Sequence, residues 1–228
     1  MAGSIRICLI AEGFVEDLLI CVNSIKEFTS TPITIYANGK SNWLPLEKFE
    51  DQQISITQVK NPLGWGNVVN HFLEVCSEDY IVIMDPSTTF TGDPITPALA
   101  EIEKGFAGVG WKGGLVNLED EWRSTEDKGD GEVDVLFSYF FMIDRKKVIA
   151  AGGANPSAKY YRNADMELAL ALRAAGERLL QITLPLIQGR HHGYHDTDPE
   201  YREKNSRKNY QRILDRFRGK NEILTPRR

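Results

Sequence analysis

The chain has 228 residues, of which 42% are hydrophobic and 26% are charged, and its formal net charge is −5. This composition is typical of a soluble globular protein and argues against disorder, and no apolar run approaches the ~18 residues that a membrane-spanning helix needs. The three cysteines, Cys8, Cys21 and Cys76, form neither a disulfide framework nor a metal-binding spacing. Since residues 1–6 also lack the apolar stretch of a signal peptide, we expect a cytoplasmic protein.

Short apolar strands alternate with amphipathic helices through the first half of the chain. The periodicity predicts strands at 5–10, 32–36, 54–59 and 80–84 and helices at 15–25 and 68–76. A third helix is expected after Asp93, a suitable capping residue, with Pro94 at its first position. This alternation predicts a largely parallel sheet with helices on both faces.

The second half of the chain is less regular. Its apolar segments predict one or two buried strands at 133–143 and a last strand at 179–186, with a mobile, glycine-rich and acidic loop at 112–132. Helices are predicted at 165–175, where Gly176 ends the helix, and at 200–218. No linker interrupts this pattern, so one domain is expected.

Charge is distributed unevenly along the chain. Residues 200–228 contain ten lysine and arginine residues and four acidic ones, so the preceding part of the chain is strongly acidic. An acidic body argues against nucleic acid as a partner. The basic C-terminal segment offers a surface for a membrane, but its apolar face is equally suited to packing on the body, so membrane contact is not predicted.

Ligands of parallel sheets bind at the carboxyl ends of the strands, which makes the loops after residues 10, 36, 59 and 84 the first candidates for a site. Asp85 follows the most apolar strand, where a carboxylate can hold a divalent cation or a ribose hydroxyl, or where Asp-Pro simply forms a turn. The glycine-rich segment 61–70 can present backbone N–H groups to an anion, or serve as an ordinary strand-to-helix turn.

Two further segments carry titratable side chains. Asp165 and Glu167 open a predicted helix, where one of them can act as a general base or both can complement the helix dipole. Residues 190–196 hold three of the four histidines beside Asp196, which suits a metal or phosphate site but also a surface loop. The fourth histidine, His71, lies within a helical pattern and is interpreted as structural.

Taken in order, these segments resemble the GT-A glycosyltransferases of the family-2 type, which use nucleotide sugars and invert the anomeric centre. The resemblance covers roughly residues 5–195, and its motifs lie in the segments 5–25, 61–70, 80–90 and 140–176. It implies an α/β, Rossmann-like GT-A fold, with a mostly parallel central sheet flanked by helices and a C-terminal helix.

The resemblance also implies a division of the chain. Residues 1–228 would form a single GT-A-like domain with three parts. These are a nucleotide-sugar donor half at 1–105, an acceptor half at 106–199, and a basic C-terminal helix and tail at 200–228.

By this resemblance the protein moves a sugar from a UDP-, GDP- or TDP-linked donor to the hydroxyl of a glycan or other acceptor, with inversion. Asp165 stands at the position of the family's general base. Mn²⁺ or Mg²⁺ would be held by Asp85, His191 and His192. Acceptor contacts are expected from Trp111, whose aromatic face suits a sugar, and from Glu167. Donor contacts are expected from Ala11, Glu12, Asn38, Asn61, Gly64, Asp85 and Ser87.

The sequence departs from the family pattern at several of these positions. Ser87 stands where the family commonly has the aspartate that holds the metal, and serine is a poor ligand for a hard dication. Ala37 stands where an aspartate often reads the nucleotide, and Ala164 precedes Asp165 where the family has glutamate. Cationic side chains would then be an alternative to the metal: Arg190, Arg202, Lys204, Arg207 and Lys208.

These departures keep other functions open. The first alternative is a non-catalytic module of the same fold that binds a nucleotide sugar or a glycan. A nucleotidyltransferase is disfavoured because residues 10–14 lack the glycine-rich loop with lysine or arginine that such enzymes need. A zinc hydrolase built on the histidine cluster would lose activity or stability on addition of a chelator, whereas a metal-free transferase would not.

Overall fold

The computed structural model describes residues 3–49 and 53–227. Within these ranges the strands are β1 (Ile5–Ala11), β2 (Ile33–Asn38), β3 (Ile54–Val59), β4 (Tyr80–Met84), β5 (Thr88–Phe90), β6 (Gly108–Gly110), β7 (Gly113–Val116), β8 (Thr125–Glu126), β9 (Gly131–Val133), β10 (Val135–Leu136), β11 (Phe140–Asp144), β12 (Leu179–Gln181) and β13 (Leu186–Gln188). The helices are α1 (Val15–Phe28), α2 (Trp65–Val75), α3 (Ile95–Ile102), α4 (Arg145–Ala150), α5 (Ala164–Ala174), α6 (His192–His195) and α7 (Pro199–Phe217). Short 3₁₀ helices lie at Leu44–Phe49 and Asn221–Ile223.

The largest sheet of the described residues has eight strands in the order β3-β2-β1-β4-β11-β6-β12-β9. β3, β2, β1 and β4 are parallel neighbours. β11 runs antiparallel between β4 and β6, β12 is parallel to β6, and β9 lies antiparallel to β12. The prediction of a mostly parallel central sheet is therefore confirmed.

A hydrophobic core lies on each face of this sheet. Along β1, Ile7 and Leu9 face the core that α1 and α3 cover, whereas Cys8 faces the core that α2, α5 and α7 cover. This alternation follows from the two-residue period of a strand. Burial on both faces explains why the strands read as nearly continuous apolar runs.

Two segments differ from the sequence-based expectation. Residues 112–132, predicted to be a mobile loop, contain β7, β8 and the start of β9, because their glycines permit close strand approach. A Cβ atom on Gly113 would lie 2.4 Å from the carbonyl oxygen of Val135 on the neighbouring strand. The last strand, predicted at 179–186, is divided into β12 and β13. β13 leaves the central sheet and pairs with β5, a strand that was not predicted.

The C-terminal helix α7 packs its apolar side on the body of the protein. Ile213 and Phe217 are buried in the core beside α5. Asn209 donates hydrogen bonds to the carbonyl oxygens of Tyr160 and Arg162 at 2.7 and 2.8 Å. Among the described residues no helix is both long and apolar enough to cross a membrane.

The carboxylate of Asp134, which is fully buried, fastens the C-terminal tail to the sheet. It accepts hydrogen bonds from the backbone N–H groups of Val116 and Thr225 at 2.8 and 2.7 Å. It also forms an ion pair with Arg227 at 2.6 Å. This one carboxylate therefore satisfies donors from two distant parts of the chain.

We expect Asp134→Ala to lower the free energy of unfolding by about 2–4 kcal/mol, since two buried N–H donors lose their acceptor. For a domain of this size that is a fall in Tm on the order of 10 °C, measurable by differential scanning calorimetry. Glu203→Ala is the control, because this carboxylate is exposed and pairs with Arg207 on the surface of α7. Equal Tm values for the two variants would contradict this role of Asp134.

Candidate active site

The carboxyl ends of the parallel strands open into a cavity of about 340 Å³, called here the first cavity. The loops after β1, β2, β3 and β4 all contribute to its wall, as expected for ligand sites of such sheets. Further parts of its wall come from the segment between β13 and α7 and from the first turn of α7. Side chains of the expected donor site that line it are Glu12, Asn38, Asp85 and Ser87.

A second cavity, of about 580 Å³, adjoins the first. Asp85, Ser138 and Tyr161 line both of them, so the two cavities meet at these side chains. Asp165 and His191 line the second cavity. Two substrates, one in each cavity, would therefore meet next to Asp85.

Asp85 is held by two neighbours at this junction. Its Oδ2 atom lies 3.0 Å from Nε2 of His191, and its Oδ1 atom accepts hydrogen bonds from the N–H and hydroxyl of Ser87 at 2.8 and 2.5 Å. Burial alone would raise the pKa of Asp85, but the bonds from His191 and Ser87 outweigh it and lower the pKa below its usual value. Asp85 is thus a preformed carboxylate beside a histidine.

Asp165 is buried at the start of α5. Its Oδ2 atom accepts hydrogen bonds from the N–H of Ser138 at 3.0 Å and from the Ser138 hydroxyl at 3.3 Å, and its Oδ1 atom accepts one from the N–H of Met166 at 2.9 Å. Burial raises the pKa of Asp165 to about 6, and these hydrogen bonds oppose the rise. A carboxylate with such a pKa is suited to accept a proton near neutral pH.

Asn38 joins three of the loops that form the first cavity. Its side-chain amide donates to Glu12 Oε1 at 2.9 Å and to the carbonyl oxygen of Leu63 at 2.8 Å, and its Oδ1 atom accepts from the Leu63 N–H at 2.9 Å. Glu12 keeps an exposed surface toward the cavity, yet the loss of surrounding water raises its pKa to about 7. Asn38 therefore positions the cavity wall as well as lining it.

The histidines of the C-terminal loop point in different directions. The His191 ring is buried between Tyr139 and Tyr161, at centroid distances of 5.4 and 4.9 Å, and reaches Asp85. The His192 ring lies outside this pair of tyrosines and lines the first cavity. Its two nitrogens are 3.0 Å from Asp17 and 2.5 Å from Asp196, and it stacks on Phe14 at 4.8 Å.

The positions of Asp85, His191 and His192 test whether these three side chains could bind one metal ion, as the resemblance implies. Within residues 3–49 and 53–227 no group of three or more histidine, cysteine, aspartate or glutamate side chains is placed to hold a metal ion. Asp85 and His191 form a pair, which suits a cation that takes its other ligands from substrate phosphates. His192 is engaged elsewhere, so only two of the three expected ligands lie together.

The glycine-rich turn before α2 packs against the chain at residues 155–159. The N–H groups of Trp65 and Gly66 donate to the carbonyl oxygens of Lys159 and Ala158 at 3.3 and 2.9 Å. A Cβ atom on Gly66 would lie 1.9 Å from the carbonyl oxygen of Asn155. These glycines thus permit a close backbone contact, and the two N–H groups are engaged by the protein itself instead of facing an anion.

We expect Gly66→Ala to lower Tm by at least several degrees, because the added methyl group forces the two backbones apart and overpacking typically costs about 1–3 kcal/mol. Thermal unfolding followed by circular dichroism measures the change. Gly189→Ala is the control, since its Cβ atom would make only an ordinary contact at 3.5 Å. A wild-type Tm for Gly66→Ala would show that this contact is not tight.

Solved structures similar to this chain include two glycosyltransferases. GalNAc-T7, in a structure with UDP, GalNAc and Mn²⁺, matches with a TM-score of 0.71 at 13% identity over 94% of this chain and 48% of its own. The mannosyltransferase PcManGT from Pyrobaculum calidifontis, in complex with GDP-Man and Mn²⁺, matches with a TM-score of 0.63 at 14% identity over 81% of this chain and 55% of its own. This chain has the GT-A fold.

The similarity is one of structure, and it is partial in length. No protein-family model matches the chain, and no curated protein sequence matches it. The chain spans about half the length of the solved chains described above, at 48% and 55%. At identities of 13% and 14% these matches establish the GT-A fold alone.

The GT-A fold does not bring every expected site residue to the two cavities. Glu167 is buried and binds Arg212 at 2.9 Å and Asn155 at 2.7 Å, which gives it a structural role. Ala11 lies in the core, and Trp111 packs partly against the core with Lys112 over its ring. Residues of the expected set that are absent from both described cavity walls are Ala11, Asn61, Gly64, Trp111 and Glu167.

The cationic alternatives to a metal are also mostly engaged away from the junction. Arg190 lines the second cavity but pairs with Asp196 at 2.6 Å, and Arg207 pairs with Glu203 at 3.0 Å. Lys204 and Lys208 are exposed on α7. These cations are therefore less well placed to neutralise a diphosphate at the junction than a metal ion held by Asp85 and His191 would be.

Sequence reasoning missed several residues that line the cavities. Ser138 and Tyr139 lie between β10 and β11, Tyr161 and Arg162 precede α5, and Phe14 follows β1. In the sequence these residues look like ordinary aromatic core residues or polar surface residues, so nothing in their residue types marked them as part of a site. The available signal was position in the sequence, since Tyr161 and Arg162 lie four and three residues before the candidate base Asp165.

Proposed function

We propose that this protein is a glycosyltransferase that moves a sugar from a nucleoside diphosphate to an acceptor hydroxyl. The observation that carries the proposal is the junction of the two cavities: the Asp85–His191 pair lies where they meet, and Asp165 lines the second one. The similar GT-A structures with bound UDP or GDP-Man support this reading by analogy of fold. A single domain with a donor half at 1–105 and an acceptor half at 106–199 is part of the proposal.

In the proposed reaction, the first cavity binds the nucleotide and the second binds the acceptor. Asp165 accepts the proton of the acceptor hydroxyl as its oxygen attacks the anomeric carbon, and the bond from that carbon to the diphosphate oxygen breaks. Attack from the side opposite the diphosphate inverts the anomeric centre. Ser138 and the N–H of Met166 keep the Asp165 carboxylate oriented.

Asp85 and His191 are the residues that would hold Mn²⁺ or Mg²⁺. Such an ion, when bound, neutralises charge on the leaving diphosphate. The hydroxyl of Ser87 donates to Asp85 and so fixes this carboxylate, in place of supplying a second one.

A second candidate is a binding module of the same fold without turnover. Ser87 favours it, because the junction then carries one carboxylate where the metal-dependent family pattern has two. It predicts nucleotide or glycan binding without release of a nucleoside diphosphate.

A thermal-shift panel with UDP, GDP, TDP and CDP, each with and without Mn²⁺, tests the proposal first. A nucleotide at ~100 times its Kd adds about 2.7 kcal/mol, which is a rise in Tm of roughly 5–10 °C. Donors of the responding nucleotide are then tested for nucleoside diphosphate release. No shift with any nucleotide would overturn the donor site, and a shift without release would favour the binding module.

A further inference from the structure

The second cavity carries unpaired positive charge, although the first 199 residues of the chain are acidic. The Arg162 guanidinium lines this cavity and lies 5.1 Å from the centre of the Tyr194 ring. The Arg202 guanidinium lies 4.4 Å from the same ring and donates to the Tyr194 carbonyl oxygen. Among the described residues neither arginine forms an ion pair with a carboxylate.

The other charged groups of this cavity are satisfied by the protein. Arg190 forms a two-point ion pair with Asp196, at 2.6 and 2.9 Å. His191 lies against Asp85, and the carboxylate of Asp165 accepts N–H groups of the backbone. Arg162 is therefore the guanidinium in the described wall of the second cavity that remains available for a ligand. His195 also lines this wall, where its ring lies edge-on to the Tyr194 ring at 5.2 Å.

Arg162 and Asp165 both line the second cavity, and two residues, Asn163 and Ala164, separate them in the chain. Asn163 between them has a left-handed backbone, with φ of 65°, and donates its amide to the carbonyl oxygen of Ser206 at 3.1 Å. This turn is thus fastened to α7. The rest of the wall is rich in aromatic rings suited to the apolar face of a sugar: Phe137, Tyr139, Tyr161 and Tyr194.

We propose that the acceptor carries an anionic group, a phosphate or a carboxylate, which Arg162 binds while the acceptor hydroxyl lies at Asp165. The inference rests on the proposed function and names its acceptor class. A guanidinium matches either anion with two parallel hydrogen bonds. Arg162 is separate from the donor site, since it lines the second cavity only, whereas Lys40 lines the first.

The test compares three probes that share one ring: glucose, glucose 6-phosphate and glucuronate. Binding of each to the full chain is measured by isothermal titration calorimetry at constant ionic strength, without a donor. We expect at least one anionic probe to bind about tenfold or more tightly than glucose, and Arg162→Gln to remove that difference. Arg207→Gln is the matched control, because its side chain lies on the exposed face of α7, paired with Glu203.

Each outcome bears on the proposal. Equal binding of glucose and both anions, no binding of either anion, or full binding by Arg162→Gln would overturn it. The same is true if Arg162→Gln weakens binding of the responding nucleotide as strongly as binding of the anionic probe, since Arg162 would then belong to the donor site. Nucleotide binding is titrated separately, so a chain that binds the anion but no nucleotide would contradict the proposed function alone. The phosphate and carboxylate arms show which anion is preferred.

Discussion

Asp165→Asn is expected to lower the rate of sugar transfer by about 10²–10⁴-fold while leaving nucleotide affinity nearly unchanged. The amide has the shape of the carboxylate but cannot accept the proton of the acceptor hydroxyl. Release of nucleoside diphosphate in the presence of acceptor measures the rate, and calorimetry measures the affinity. Asp215→Asn is the control, since this exposed aspartate bonds only to Gln211 among the contacts described for it. Wild-type turnover in Asp165→Asn would remove Asp165 from the base role.

The same residue sets a pH dependence. Because burial raises the pKa of Asp165 to about 6, the carboxylate is ionised above that pH and protonated below it. Transfer should therefore fall as the pH drops through about 6. The raised pKa also means that the folded state binds this proton more tightly than the unfolded chain, so the contribution of Asp165 to stability falls as the pH rises from about 3.8 to about 6 and stays at its lowest above that. Asp165→Asn removes this cost at pH 7.5, but its amide N–H turns toward one of the two backbone donors that the carboxylate accepts, so the Tm of the variant is measured at that pH to separate lost activity from lost folding.

Asp85→Asn and His191→Ala are each expected to abolish the Mn²⁺-dependent part of the nucleotide-induced rise in Tm, a rise that totals roughly 5–10 °C in the wild type at ~100 times the Kd. The physical reason is that, in the proposed site, this pair would supply both protein ligands of the ion, so removal of either leaves a single one. The nucleotide that responds in the wild type is used, with and without Mn²⁺. Binding that remains without the ion reports the rest of the first cavity.

His71→Ala controls for the loss of a histidine ring, because His71 lies on α2 against Tyr36 at 5.4 Å. His192→Ala is informative beside it, since this ring contacts Asp17 and Asp196 and should leave the Mn²⁺ effect in place. A Mn²⁺-dependent shift that survives in both Asp85→Asn and His191→Ala would contradict the assignment. A wild-type shift that never depends on Mn²⁺ would favour a metal-free donor site.

Much of the site's location could be predicted from the sequence. Strand ends are readable from apolar periodicity, and parallel strands bring their carboxyl ends to one edge of the sheet, which is why Glu12, Asn38 and Asp85 line one cavity. Asp165 could be placed at the start of a helix, because the helical pattern begins there and Gly176 ends it. The sequence did not reveal that Glu167 forms an ion pair with Arg212, because Arg212 lies far along the chain on α7.

Local sequence determined the elements: the buried strands of the first half, the helix after Asn163 and the amphipathic α7 follow from the spacing of apolar residues and from capping or turn residues. Only the tertiary structure decided which side chains meet. Adjacent histidines were equivalent in the sequence, yet His191 reaches Asp85 and His192 reaches Asp17. The physical reason is that side-chain direction in this loop depends on its packing between Tyr139 and Tyr161, and such contacts join segments that periodicity treats as independent.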